Sequence, residues 1–275
     1  MAEGHRFSDR MGILVGEAGV SALASASVAV YGLGGVGAAC AMDLVRAGVG
    51  HLRVIDFDRV DPTNLNRLYF GYASTVGMAK TEAFIRFALE VNPAVSIQAE
   101  RIFFGGEDAH TVVDDRCGYH ADCVDSLNAK VSLIAELCGR GLPFISSMGT
   151  AGRLAPERLK LGSIRQTSGC PLAKSVRTRL KSRGVYTDFP VVWSDEVPVK
   201  PVLPASDPAE TAAETAAEAA TSTGEETHQV DPARPKGRQR MVQGSSPFVP
   251  QVAGHIMASW IVRRILEGLP STLPR

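Results

Sequence analysis

No run of about 18 apolar residues occurs anywhere in the 275-residue sequence, so it offers no helix able to cross a bilayer. The opening stretch, residues 1–10, is polar and lacks the apolar block of a secretion signal. Cysteine is sparse and unpatterned. There are five, Cys40, Cys117, Cys123, Cys138 and Cys170, with no C-x-x-C pair among them. An odd, irregular set excludes both a disulfide framework and a four-thiolate zinc site. A reduced, cytoplasmic protein is the expectation. Aromatics are few, and no RNA-stacking aromatic motif is evident. Tyr186, Phe189 and Trp193 lie close together, and Trp193 reads equally well as a core residue.

Positive charge is missing from one long stretch. Between Asp207 and Asp231 there are seven acidic residues and no Lys or Arg. Setting those seven aside leaves 22 acidic residues against 29 basic ones, so the remainder is basic although the formal net charge is zero. A basic remainder suits a polyanionic partner. The acidic stretch belongs to a longer segment, 204–240, built from Ala, Glu, Thr and Pro, whose one large apolar residue is Val230. It cannot bury enough surface to offset the entropy of ordering it. It is expected to be a disordered insertion, with a short helix allowed over 209–220.

What the sequence does have is alternation. Apolar strand-like runs at 28–31, 51–56, 95–99, 122–124 and 143–147 are separated by helical patterns at 36–47, 80–91 and 128–140. Asn92-Pro93 stops the second helix. This rhythm, with short turns, predicts an α/β fold: a mostly parallel, Rossmann-like sheet with helices on both faces. Beyond the insertion, 252–266 reads as one more helix, packed on the core.

The first strand runs into Tyr31-Gly32-Leu33-Gly34-Gly35-Val36-Gly37 and then into a helix. Gly32, Gly34 and Gly37 fit G-x-G-x-x-G, with Gly35 beside them. Such glycines allow a tight turn and let backbone N–H groups approach phosphates at a helix N-terminus. Asp56, at the end of the next strand, is placed to accept hydrogen bonds from ribose hydroxyls. Alone, this motif says only "nucleotide", and NAD is the default. The residues that follow do not suit hydride transfer. Asp58, Asn64, Asn66 and Arg67 come next, then Lys80, and then Asp125 where a later strand ends. Singly, Asn64 and Asn66 read as turn residues, Asp58 as a cap and Lys80 as a solvated helix residue. Together they supply acids, amides and cations around a phosphate loop, because strand C-termini in an open α/β sheet line one crevice. The set suits a triphosphate with a metal. Arg67 and Lys80 would offset phosphate charge, and Asp125 would hold Mg2+.

In this order, G-x-G-G-x-G, D-x-D, N-x-N-R, the lysine and the D-S pair at Asp125-Ser126 resemble the adenylation domain of the ThiF, MoeB and ubiquitin-activating enzymes over about residues 10–150. That resemblance implies ATP as substrate, Asp56 on the ribose, Asn66, Arg67 and Lys80 on the phosphates, and Asp125 on Mg2+. It further implies a homodimer in which an N-terminal arginine, here Arg10, reaches the neighbouring copy's ATP. Leu68 and Ser126 depart from the Gln and Asn common at those places. Relatives that pass a carboxylate to a thiol usually carry a tetracysteine zinc site, which this sequence lacks. The segments Gly149-Thr150-Ala151-Gly152-Arg153, Pro171-Leu172-Ala173-Lys174, 191–198 and Gly244-Ser245-Ser246-Pro247-Phe248-Val249-Pro250 instead resemble the tRNA threonylcarbamoyladenosine dehydratase branch. The implied organisation is an adenylation domain over 1–203, the insertion over 204–240 and a C-terminal helical segment over 241–275.

Charge supports a nucleic-acid partner separately. Between Arg153 and Arg183 there are nine basic residues and one acid, Glu157. If 171–182 is helical, Lys174, Arg177 and Lys181 share a face at i, i+3 and i+7 and, with Arg165, form a stripe for RNA phosphates. The implied chemistry starts when the threonyl carboxylate of the modified adenosine attacks the α-phosphate of ATP and releases pyrophosphate. The neighbouring carbamoyl oxygen then closes a ring and expels AMP. No thiol is required, although Cys170, just before a helix, would be activated there if exposed. A sulfur-relay or cysteine desulfurase partner belongs to the same family expectation. Three alternatives remain at this point: adenylation of a ubiquitin-like or sulfur-carrier protein, an NAD-dependent oxidoreductase, and a non-catalytic scaffold.

Overall fold

The computed structural model describes residues 7–105, 108–202, 243–267 and 269. The expected insertion at 204–240, with its optional helix at 209–220, lies outside the described residues. The chain builds one seven-stranded sheet in the order β3-β2-β1-β4-β5-β7-β6. The strands are β1 (Ser27–Tyr31), β2 (His51–Ile55), β3 (Ser96–Glu100), β4 (Tyr119–Asp122), β5 (Phe144–Ser147), β6 (Leu159–Ser163) and β7 (Pro190–Ser194). All neighbouring strands are parallel except the edge pair β6–β7, which is antiparallel. The helices are α1 (Asp9–Ser25), α2 (Gly35–Ala47), α3 (Lys80–Val91), the short α4 (Ala109–Val112), α5 (Leu127–Arg140), α6 (Pro171–Ser182) and α7 (Val249–Leu266).

The two-residue period of a strand divides the core in two. In β1, Val28 and Val30 join one apolar cluster while Ala29 and Tyr31 join the other. The first cluster takes in α2, α3 and α7, and the second takes in α5 and α6. The inner strands β1, β2, β4, β5 and β7 are therefore buried on both faces, while the edge strands β3 and β6 are not. Because β1 is central and the strand order reverses between β1 and β4, the crevice opens above the C-terminal ends of β1, β2 and β4.

Three elements escape the sequence pattern. Gly12, Gly16 and Gly19 dilute the helical period of α1, which kinks at Gly16. β6 is an edge strand whose Leu159 and Leu161 alternate with Lys160 and Gly162, and β7 opens on a proline. The last helix begins at Val249 and not at 252, because Pro250 sits in the first turn, where no N–H donor is needed. That helix packs along α2, with Gly254 set against the Val36 carbonyl and His255 paired with Asp43. Trp193 is buried, which makes it a core residue.

Candidate nucleotide site

The glycine turn joins β1 to α2. Gly32 has φ 87°, and a Cβ on Gly37 would lie 1.8 Å from the Gly32 carbonyl oxygen. No other residue type fits at Gly37 without opening the turn. The turn is tied to the next strand by Asp56. Its Oδ2 accepts from the Leu33 N–H at 2.6 Å and its Oδ1 accepts from the Asp58 N–H at 2.7 Å. Asp56 is buried, which pushes its carboxyl above the ordinary range, and the Lys80 charge opposes that shift. Each carboxylate oxygen keeps a further lone pair for a ligand hydroxyl.

Lys80 begins α3, yet it is buried, with 7% of its surface exposed. Residues 58–60 and 77–80 run side by side. The Lys80 N–H donates to the Asp58 carbonyl at 3.0 Å, and Val60 and Gly77–Met78 exchange backbone hydrogen bonds. That pairing directs the ammonium inward, where Nζ meets Asp58 Oδ2 at 2.9 Å. Lys80 is therefore not the solvated helix residue that its position alone would suggest.

Arg67 approaches from the other side. It follows a single 3-10 turn (Pro62–Asn64), and its stem lies on the glycine turn, with Cγ 3.2 Å from where a Gly35 Cβ would be. Its Nη1 donates to the Thr63 carbonyl at 2.8 Å and to Asn66 Oδ1 at 3.0 Å. Burial lowers the affinity of the guanidinium for its proton, and the nearby Asp125 carboxylate acts against that. Asp125 itself is exposed in the β4–α5 turn. Thus Asp56, with Asp58 and Lys80, meets the glycine turn at Leu33, and Arg67, with Asp125 near it, meets the turn at Gly35.

The two asparagines divide. Asn64 Oδ1 accepts from the Asp61 N–H at 3.4 Å and helps close the 3-10 turn, so its amide serves the turn. Asn66 Nδ2 donates to the Ser245 carbonyl at 2.7 Å while its oxygen holds Arg67, so it orients the arginine. Arg10 is exposed on α1, and the hollow it lines is made of residues 8–20 of the same element. It is not brought into the crevice within this chain.

The basic stretch is less available than its count suggests. Arg177 is spent internally, with Nη1 on Thr167 Oγ1 and the Ile164 carbonyl. The sequence sets it on one stripe with Lys174 and Lys181, and in the structure its Nη1 serves the 164–167 turn. Arg153 is buried against the Gly149 and Glu196 carbonyls, and Arg158 and Lys160 share Asp195. Lys174, Lys181 and Arg165 stay exposed, although Arg165 also donates to the Tyr186 carbonyl. Arg179 joins Asn128 at the start of α5, three positions beyond Asp125. Cys170 is buried, which removes the exposed, activated thiol that its position before a helix had allowed.

Sequence reasoning missed two supports of the site. One is a fully buried group behind Asp125. Lys130 Nζ donates to Asp122 Oδ2 at 2.7 Å and to Ser146 Oγ at 3.3 Å, and Ser146 Oγ donates to the same carboxylate at 2.6 Å. Asp122 Oδ1 accepts from the Val124 N–H at 3.1 Å, which fixes the turn that displays Asp125. The signal was present as an acid ending a strand and a lysine in the first turns of the next helix, both among apolar residues. The other support is the segment 244–251, which the sequence marks by family resemblance without showing that it touches Asn66 and Arg67. Among the described residues no group of three or more His, Cys, Asp or Glu side chains could hold a metal unaided.

This geometry finds close counterparts among known proteins. The ThiF family model matches residues 8–273. A Bacillus subtilis tRNA threonylcarbamoyladenosine dehydratase is 32% identical over 265 residues, covering 96% of each chain. The Escherichia coli protein of the same description is 32% identical over 179 residues, 65% of each chain. A crystal structure of the E. coli tRNA N6-threonylcarbamoyladenosine dehydratase in complex with AMP superposes with a TM-score of 0.76 at 25% identity, covering 94% of this chain and 93% of that one. With a family model spanning nearly all of it and the glycine turn, D-x-D, N-R, lysine and strand-end aspartate in one crevice, the chain belongs to the ThiF family.

Proposed function

We propose that the chain cyclises threonylcarbamoyladenosine in tRNA at the expense of ATP, through carboxyl adenylation, with release of AMP and pyrophosphate. The observation that carries this reading is that Asp56, with Lys80 near it, and Arg67, with Asp125 near it, both meet one glycine turn. The full-length likeness to the B. subtilis dehydratase selects the substrate.

In this reading the ATP phosphates lie over the glycine turn and the N-terminus of α2, and the ribose hydroxyls meet Asp56. The substrate carboxylate attacks the α-phosphorus. Arg67 and Lys80 stabilise the charge that builds on the phosphoryl oxygens, and pyrophosphate leaves. The carboxyl carbon now carries AMP, a good leaving group. The neighbouring carbamoyl group attacks it, so the second step is intramolecular and draws its rate from positioning. No step needs a cysteine, in keeping with the burial of Cys170.

Asp125 suits Mg2+, which takes one or two carboxylates and completes its shell with water and phosphate oxygens. Bound there, Mg2+ would neutralise phosphate charge. Lys174, Lys181 and Arg179 are the cations we assign to the tRNA backbone, with Arg165 at the margin. A homodimer, in which Arg10 serves the partner's site, is part of the same reading, as is a sulfur-relay or cysteine desulfurase partner. No helix among the described residues is long and apolar enough to cross a membrane, and we take the cytoplasm as its place.

The test is direct. Purified protein with ATP and tRNA bearing the linear nucleoside should yield the cyclic nucleoside by mass spectrometry. Asp125→Ala should abolish conversion while leaving the melting temperature within a few degrees of the wild type. Full turnover by that variant would remove the metal role. Failure of the wild type to convert the tRNA would remove the substrate.

A further inference from the structure

The segment Gly244-Ser245-Ser246-Pro247-Phe248-Val249-Pro250 has no part in the chemistry above, yet its contacts converge on that site. At its start the Gly152 N–H donates to the Gly244 carbonyl at 2.8 Å, and the Gly152 carbonyl accepts from the Val199 N–H at 2.7 Å. One residue on, the Ser245 carbonyl accepts from Asn66 Nδ2 at 2.7 Å. Ser246 Oγ accepts from the Val249 N–H at 3.3 Å and starts α7 there. Pro250 then lies on the glycine turn, its Cβ 2.9 Å from where a Gly35 Cβ would be. Gln251 Nε2 donates to the Arg67 carbonyl at 3.2 Å.

Pro250 and the Arg67 stem therefore both lie against Gly35, and Gln251 holds the Arg67 backbone. Asn66, which orients the guanidinium, is held by the same segment. A free arginine loses rotamer entropy when fixed in one geometry. A stem already held meets the developing phosphate charge without that cost, which is the usual source of electrostatic catalysis. The segment also runs into α7, which packs along α2 through Gly254. The wall behind Arg67 and the helix behind the phosphate loop are thus one continuous element.

We propose that residues 244–251 are a positioning element of the active site, in which Pro250 and Gln251 set Arg67 over the glycine turn. The proposal rests on the adenylation reading above. Its test compares the full-length wild type with Gln251→Ala, Pro250→Ala, Arg67→Ala and the two double variants that combine each with Arg67→Ala. Each is measured for ATP affinity by calorimetry and for pyrophosphate release with tRNA carrying the linear nucleoside.

Losing one hydrogen bond of ordinary strength corresponds to about a fivefold change. Gln251→Ala should lower kcat about fivefold and Pro250→Ala, which removes packing on the turn, should lower it as well, each with the KM for tRNA unchanged. In the Arg67→Ala background neither should lower it further, because each acts through that arginine. Equal losses in both backgrounds, or unchanged kcat in both single variants, would overturn the proposal. If the wild type binds ATP but releases no pyrophosphate with this tRNA, the substrate reading fails. The same cycle read in ATP affinity then decides the positioning role alone.

Discussion

Replacing Lys130 by methionine tests how the turn that carries Asp125 is held. Lys130, Asp122 and Ser146 are all fully buried, and the ammonium lies 2.7 Å from the carboxylate. Methionine nearly matches the lysine stem in length and volume, so little cavity is created. What changes is the charge balance. Asp122 keeps hydrogen bonds from Ser146 Oγ and the Val124 N–H but loses its counter-ion. Breaking a buried pair from one side costs about 3–5 kcal/mol, and the two surviving donors argue for the lower end. At roughly 2–4 °C per kcal/mol for a chain near this size, the melting temperature should drop by about 10 °C. Urea unfolding at neutral pH measures the free energy directly. The control is Asp122→Asn with Lys130→Met, which removes both charges and should recover most of the loss, since a neutral buried set is often no less stable than an ionic one. A single variant that loses under about 1 kcal/mol, or a double variant that loses the sum of both singles, would refute the assignment of this pair as a load on the turn.

Two further outcomes follow from the same contacts. His255 Nδ1 meets Asp43 Oδ2 at 2.5 Å between α7 and α2, and this hydrogen bond raises the imidazole above its ordinary value. Its contribution to stability is complete below the unfolded-state value of about 6.5 and is lost as pH rises through the higher folded-state value. Urea unfolding of the wild type should weaken across that window, and Asp43→Asn should flatten the dependence; identical slopes would dismiss the pair. For the basic surface, Lys174→Ala with Lys181→Ala should weaken tRNA binding and reduce its salt dependence without changing stability. Arg177→Ala should instead lower stability and leave tRNA binding unchanged, because its guanidinium serves the 164–167 turn. Equal losses of tRNA affinity in filter binding would return Arg177 to the RNA face.

The contrast between Lys174 and Arg177 shows where sequence reasoning stops. A spacing of three and seven puts both on one side of α6, and the helix does form over those residues. Spacing does not say which flank of that side another element covers, and here the 164–167 turn, outside the helix, covers Arg177. Lys80 is the opposite case. As a first-turn helix residue it reads as solvated, and it is buried because residues 58–60 pair with 77–80 across a loop whose path no local pattern reveals. By contrast, the glycine turn, Asp56 and the alternation of β1 were legible, since each depends on neighbours a few residues apart or on one strand's period. The sheet order places the ends of β1, β2 and β4 together once a parallel alternation is granted, so the crevice could be expected before its lining was known. The segment 244–251 could not be placed in this way. Its two contacts to Asn66 and Arg67 span most of the chain, and each ends on a backbone carbonyl, which leaves no mark on residue identity at that end. Sequence therefore announces the groups that touch a nucleotide more readily than the groups that hold them still. Through Gln251, part of the catalytic power of this fold is written in positions that side-chain chemistry alone would never single out.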